Sequence, residues 1–299
     1  MNLIEKYLSK TKKSKELFER AKNYFPGGIN HNARFYKPYP IFANKAKGSR
    51  IYDVDGNEYI DFWMGHTALI FGHSPDFIMN EIKEQIYNGT LYGTPSEDAI
   101  MLAEMIKECV KNVEKIRFCN SGAEATMYAI RLARAYTKKK YVLKVRGGWH
   151  GYNSPLSKNV WEEKSLGILE EETKYTLSFT FNSIDSFKNT LKLCKEDLAC
   201  VILEPVLGAG GGIPANQDFL SIIREETEKV GALLIFDEII TGFRLGLGGA
   251  QEYYKIDADL LTYGKVIGGG FPIGAVAGKS EILNLADPTR KNGVCKIGG

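Results

Sequence analysis

The run Leu261-Thr262-Tyr263-Gly264-Lys265-Val266-Ile267-Gly268-Gly269-Gly270-Phe271-Pro272 sets one lysine among apolar residues and follows it with three glycines. Lysine is ordinarily a surface residue. Held against apolar surface it loses basicity, because its charged form is poorly solvated there. The neutral amine is the form that condenses with an aldehyde. The glycines let the backbone pass close to something flat and bulky. Alone, the run reads equally well as an exposed turn after a short strand, so the rest of the chain has to decide.

Outward from that run the chain alternates helix and strand. Residues 199–204 and 232–236 are continuous apolar runs and read as buried strands. Residues 116–119 and 140–145 read as further strands, and 97–112, 123–137 and 217–230 as helices with one apolar face. Strands alternating with helices predict an α/β fold with a mostly parallel central sheet covered on both faces. Before it, residues 14–25 read as an amphipathic helix with Leu17, Phe18, Ala21 and Phe25 on one face. Residues 29–47 read as irregular, residues 49–61 as a hairpin turning at Asp55-Gly56, and residues 153–175 as a surface excursion. Two parts are expected: an N-terminal helix and hairpin segment, residues 1–70, and a large domain, residues 71–299. Lys296-Ile297-Gly298-Gly299 brings no closing element, so the chain reads as truncated at that end.

Bulk properties exclude several classes. The 299 residues are 44% hydrophobic and 25% charged, as in ordinary globular domains, and suffice for a large core. The net charge is +3, from 39 Lys and Arg against 36 Asp and Glu, so no nucleic-acid partner is expected. The five cysteines (109, 119, 194, 200 and 295) form no CxxC pair and the four histidines no HExxH, so no metal and a reducing cytoplasm are expected. No signal peptide is visible at the start, and no apolar run approaches the roughly 18 residues of a membrane span.

Three stretches join Lys265, each at the end of a predicted strand. In Phe118-Cys119-Asn120-Ser121-Gly122-Ala123-Glu124 a strand runs into a helix start, where free N–H groups make an anion site. Ser121 and Glu124 also fit an ordinary capping box. In Phe236-Asp237-Glu238-Ile239, Asp237 ends a buried strand, where open α/β sheets place ligands, and a buried carboxylate there needs a partner such as a protonated ring nitrogen. In Arg146-Gly147-Gly148-Trp149-His150-Gly151 an aromatic stands between glycines, suited either to stacking on a planar ligand or to the core. The Gly208–Gly212 cluster is too weak for a dinucleotide loop, and neither a P-loop nor a GxSxG elbow occurs.

This order of anion turn, aromatic, aspartate and lysine resembles the class III, fold-type I pyridoxal-phosphate-dependent aminotransferases, nearest to the glutamate-1-semialdehyde aminomutase branch. The likeness begins at Phe25-Pro26-Gly27-Gly28-Ile29-Asn30 and the 51–61 hairpin and covers nearly the whole chain. It implies a fold-type I large domain with an N-terminal piece of the small domain, the C-terminal small domain being absent. It implies pyridoxal 5′-phosphate as cofactor, bonded to Lys265, with Asp237 on its ring nitrogen. Ser121, Gly122 and Ala123 would hold the phosphate, Trp149 would stack on one ring face and Ile239 pack on the other. Arg34 would take a substrate carboxylate, and Glu204 would lie near cofactor and substrate.

The implied activity is amino-group transfer on a small amino-acid-like substrate, first of all conversion of glutamate-1-semialdehyde to 5-aminolevulinate for tetrapyrrole synthesis. A related ω-aminotransferase, a racemase or a non-catalytic cofactor-binding module are the alternatives. Ile240 stands where many ω-aminotransferases carry Gln, which favours the aminomutase side. His31 and Asn32 replace a serine and proline usual in that branch, which leaves room for a changed substrate. The resemblance also implies a homodimer.

Overall fold

All six residues of the strand Leu198–Leu203 are buried, and so are all five of Leu233–Asp237. Strands with no exposed face need cover on both sides, and a parallel sheet built from βαβ connections supplies it. The computed structural model describes residues 2–160 and 165–298. It divides into two compact units, Met1–Tyr92 and Gly93–Gly299. The boundary expected at 70/71 and this one at 92/93 differ by a stretch that contains the helix Asp76–Asn88.

In the first unit, helices α1 (Leu3–Lys10) and α2 (Lys12–Ala21) precede a three-stranded antiparallel sheet, β1 (Ala43–Lys47), β2 (Arg50–Asp53) and β3 (Glu58–Ile60). Helices α3 (Met64–Thr67) and α4 (Asp76–Asn88) follow. The hairpin turn is tied to α2: Asp55 accepts the N–H groups of Lys13 and Ser14 at 2.6 and 2.9 Å and the Ser14 hydroxyl at 2.7 Å. Two expectations are corrected. The helix stops at Ala21, and Phe25 is exposed rather than on its buried face. The chain then turns so tightly over Phe18 that a Cβ on Gly28 would lie 2.7 Å from that ring. Residues 43–47, read as irregular, form β1; its Ala-Asn-Lys-Ala-Lys sequence is mostly exposed and carries no apolar alternation to announce a strand.

The second unit runs α5 (Glu97–Cys109), β4 (Lys115–Cys119), α6 (Gly122–Thr137), β5 (Tyr141–Val145), α7 (Glu170–Thr173), β6 (Thr176–Phe179), α8 (Ile184–Lys192) and β7 (Leu198–Leu203). It continues with β8 (Val206–Leu207), β9 (Ile213–Pro214), α9 (Gln217–Lys229), β10 (Leu233–Asp237), α10 (Gly249–Tyr254), β11 (Leu260–Tyr263), β12 (Gly274–Gly278) and α11 (Ser280–Leu283). Seven strands make one sheet in the order β4-β12-β11-β10-β7-β5-β6. Only β12 runs against its neighbours. On one face Ala125, Tyr128, Ala129 and Leu132 of α6 pack against Val142, Ile202, Ile235 and Leu260. On the other, Phe187 and Phe219 pack with Leu143, Val201, Leu234 and Phe236.

This is the mostly parallel, doubly covered sheet that the alternation predicts. Among the elements that the sequence reading did not name are β6, α8 and β12. Within the 153–175 excursion, Ser154–Ser157 is a short 3-10 turn and α7 follows, while residues 161–164 lie outside the described residues. Among the described residues, no helix is long and apolar enough to cross a membrane, and no group of three or more His, Cys, Asp or Glu side chains could hold a metal ion.

Candidate active site

Because β4, β5, β7, β10 and β11 run the same way, their carboxyl ends share one edge of the sheet. β4, β5, β10 and β11 each deliver one of the stretches singled out in the sequence, and β7 delivers Glu204. Past β4, Ser121 caps α6: its hydroxyl accepts the Glu124 N–H at 3.2 Å, while Glu124 takes the Asn120 N–H at 2.9 Å. The Ser121 cap is therefore real, but the box does not close, because Glu124 takes the N–H of Asn120 rather than that of Ser121. The cap leaves the N–H groups of Gly122 and Ala123 without an acceptor among the described residues, at the positive end of a 16-residue helix.

Close approaches bring the other stretches to that helix start. A Cβ on Gly122 would lie 2.5 Å from Ile239 Cδ1, and one on Gly264 would lie 3.4 Å from Ile239 Cγ2. A Cβ on Gly151 would lie 2.4 Å from Ala123 Cβ. The approaches at Gly122 and Gly151 leave no room for a Cβ, and Gly264 sits in ordinary contact with Ile239, so β10, β11 and the loop after β5 all converge on the first turn of α6.

Asp237 is 3% exposed. Its Oδ2 lies 2.7 Å from His150 Nδ1, and its Oδ1 accepts the Thr262 hydroxyl and the Ile239 N–H, each at 3.2 Å. Lys265 follows Gly264 with φ +43°, a left-handed backbone that a lysine adopts only under strain. Burial holds its amine below the usual lysine range; the carboxylates of Asp237 and Glu204 oppose that shift and Arg244 adds to it. Glu204, just past β7, accepts the N–H groups of Trp149 at 2.8 Å and Gly208 at 3.0 Å. Burial pushes its carboxyl up, partly offset by His150. Trp149 is half-buried, its ring meeting Tyr152 edge-on at 4.6 Å.

The donor set suits one kind of guest. An amine of lowered basicity suits an aldehyde, the bare N–H groups at α6 suit a phosphate, and a buried carboxylate whose charge acts on Lys265 suits a cationic ring nitrogen. Pyridoxal phosphate carries all three groups. The aminotransferase class-III family model matches residues 31–294. The chain belongs to the class-III aminotransferases. Pyridoxal phosphate is the cofactor of this family, and the chain is a pyridoxal-phosphate-dependent enzyme by its membership.

The class-III chain is 48% identical over 287 residues to the glutamate-1-semialdehyde 2,1-aminomutase of Methanosphaera stadtmanae, covering 94% of this chain and 68% of that protein. Among solved structures it is similar to a transaminase with PLP bound, with a TM-score of 0.92 and 34% identity, covering 97% of this chain and 69% of that one. It is also similar to an omega-transaminase from Sphaerobacter thermophilus, with a TM-score of 0.91 and 35% identity, covering 96% and 68%.

Of the residues singled out, Lys265, Asp237, Ser121, Gly122, Ala123, Trp149, Ile239 and Glu204 lie in the second unit. Arg34 lies in the first, closing a short 3-10 turn whose cap is His31. It lines an apolar cavity of about 630 Å³ with Phe25, Ile29, Phe42 and Trp63. Sequence reasoning missed His150 and Thr262 as partners of Asp237, and the buried Lys144 of β5. Lys144 did leave a signal, a lysine inside the otherwise apolar Tyr-Val-Leu-Lys-Val strand. His150 left none beyond its place after Trp149.

Proposed function

We propose that this class-III chain moves an amino group between the two adjacent carbons of glutamate-1-semialdehyde, giving 5-aminolevulinate. The observation that carries the reading is the Lys265 amine, less basic than usual and under the charge of Asp237, in a chain 48% identical to an aminomutase. When bound, pyridoxal phosphate supplies the aldehyde that takes up the amino group and a ring that accepts the electron pair released at the substrate carbon. Lys265, neutral more readily than a surface lysine, takes a proton from one substrate carbon and returns it at the next. Asp237, held by His150 and Thr262, keeps its charge aimed at the ring nitrogen. The free N–H groups of Gly122 and Ala123, with Ser121, hold the phosphate. Trp149 and Ile239 would bracket the ring, Glu204 would lie near the cofactor, and Arg34 would bind the substrate carboxylate.

The test supplies glutamate-1-semialdehyde with no second amine or keto acid. Formation of 5-aminolevulinate is expected. Its absence, with turnover of an amine and keto-acid pair, would replace the aminomutase reading with an ω-aminotransferase. That second reading draws support from the solved omega-transaminase at 35% identity and from His31 beside Arg34. A homodimer fits the large apolar side chains left exposed in the first unit, among them Phe62 at 92% and Phe71 at 64%; sedimentation as a monomer would refute it. Cytoplasmic residence fits the five unpaired cysteines.

A further inference from the structure

The peptide group between Gly148 and Trp149 is gripped at both ends by buried charge. Its carbonyl accepts the Lys144 ammonium at 3.0 Å, and its N–H donates to Glu204 Oε1 at 2.8 Å. Lys144 is fully buried on β5, and Glu204 is 4% exposed. Lys144 pairs with Ile202, and Ile202 with Ile235. Residues two apart on a strand share a face, so Lys144, Glu204 and Asp237 all stand on the α6 side of the sheet.

We infer that Lys144 and Glu204 are a positioning pair that fixes the plane of the Gly148–Trp149 peptide, and through it the orientation of Trp149 and His150. This rests on the reading of Trp149 as the ring that stacks on the cofactor.

A peptide carries a dipole, negative at oxygen and positive at the N–H hydrogen. A cation at the oxygen and an anion at the N–H both favour the orientation seen. Turning the plane over would set the oxygen against the carboxylate and the N–H against the ammonium, so both contacts would become repulsive together. The loop needs such a restraint. Gly147 is in the left-handed region at φ +79° and Gly148 has no side chain, so sterics alone do little to stop the peptide from flipping. Hydrogen bonds to charged groups are the stronger kind, and a buried setting screens them little.

Each clamp residue is itself anchored. The Lys144 ammonium also donates to the Lys158 carbonyl at 2.9 Å, and Lys158 reaches the Thr173 and Thr176 carbonyls at 3.1 and 2.8 Å. Glu204 Oε2 accepts the Gly208 N–H at 3.0 Å. Burial lowers the Lys144 amine only to about 8, which leaves it charged at neutral pH. Downstream, Thr126 donates to the His150 carbonyl at 2.6 Å while His150 Nδ1 meets Asp237. One peptide plane thus governs both the indole and the imidazole that steadies Asp237.

Lys144→Met, Glu204→Gln and their double substitution, made in the full chain, test the clamp through two readouts. In the apoprotein, the Trp149 amide should exchange hydrogen at least about tenfold faster in each variant, with amides of β10 changed less than about twofold. With pyridoxal phosphate added, the visible dichroism of the bound cofactor should fall by about half or more, and the double variant should lose little beyond the worse single, since one broken contact already frees the plane. Unchanged Trp149 exchange, or losses that multiply in the double variant, would overturn the inference. If Lys144→Met does not fold, Glu204→Gln decides alone: it takes the negative charge away from the Trp149 N–H, and unchanged Trp149 exchange refutes the clamp. Wild-type chain that takes up no cofactor would sink the cofactor reading, while the exchange result still judges the clamp.

Discussion

The three-stranded sheet of the first unit and the seven-stranded sheet of the second differ in how much water they see. In the second unit β7 and β10 are buried along their whole length, and the chemistry-bearing groups stand at their ends. In the first unit β1 has no buried residue, and Arg34 lies beside an open apolar cavity. The contrast follows from what each task needs. Lowering the basicity of an amine or aligning a carboxylate requires exclusion of water, and only a strand end with cover on both faces provides it. Recognising a carboxylate needs a cation that the incoming molecule can still reach.

Substitutions should therefore act on chemistry in the second unit and on substrate recognition in the first. Lys265→Ala should have the largest effect, about 10³-fold or more on kcat, because the group that exchanges the proton is gone. Borohydride reduction followed by peptide mass analysis should find a pyridoxyl adduct at residue 265 in wild type and none in the variant. Asp237→Asn should retain the cofactor yet slow proton abstraction by roughly 10²- to 10³-fold, read as deuterium exchange at the substrate carbon. Exchange at the wild-type rate would remove Asp237 from the electronic role.

Lys144 offers a pH test of burial in the second unit. Its folded pKa of about 8 lies below the ordinary 10.5, so between those values the unfolded chain binds more protons and stability must rise with pH. Wild type compared with Lys144→Met should gain about 3 kcal/mol across that window, at about 1.4 kcal/mol per pH unit, in urea titrations at pH 7, 8, 9 and 10.5. A flat difference would mean the amine is not buried as described.

Smaller effects follow. Arg34→Ala should raise KM for the carboxylate substrate about tenfold to a hundredfold with kcat and cofactor loading little changed, the scale of one lost charged hydrogen bond. An equal fall in kcat would blur the contrast between the units. Ser121→Ala should cost about 1 kcal/mol of stability through loss of the α6 cap, and weaken cofactor binding modestly.

How legible each region was depended on whether its signal was local. The strands that carry Asp237 and Glu204 announce themselves as unbroken apolar runs, and Ser121 with Glu124 as a capping pattern within one turn. Strand β12 gave no such signal. Its Gly-Ala-Val-Ala-Gly sequence, after three glycines and a proline, is too short and small to stand out as a strand, and its small residues are explained only by the neighbours. A Cβ on Gly274 would lie 2.3 Å from the Ser121 carbonyl, and one on Gly278 2.3 Å from that of Asp259. Strand β6 and helix α8 escaped for the plainer reason that they lie beside a stretch with little periodicity.

The sequence by itself determined the alternation of strand and helix that carries the site, the strand ends at which the reactive side chains appear, and the residue types that suit an aldehyde cofactor. These depend on apolar spacing and turn chemistry, which act over a few residues. Only the tertiary structure decided which groups face one another: His150 and Thr262 on Asp237, Ile239 over Gly122, and Lys144 and Glu204 on a single peptide. Those partners are brought together by sheet register and by the absence of a Cβ at the crossings, and both are settled when the strands and helices pack.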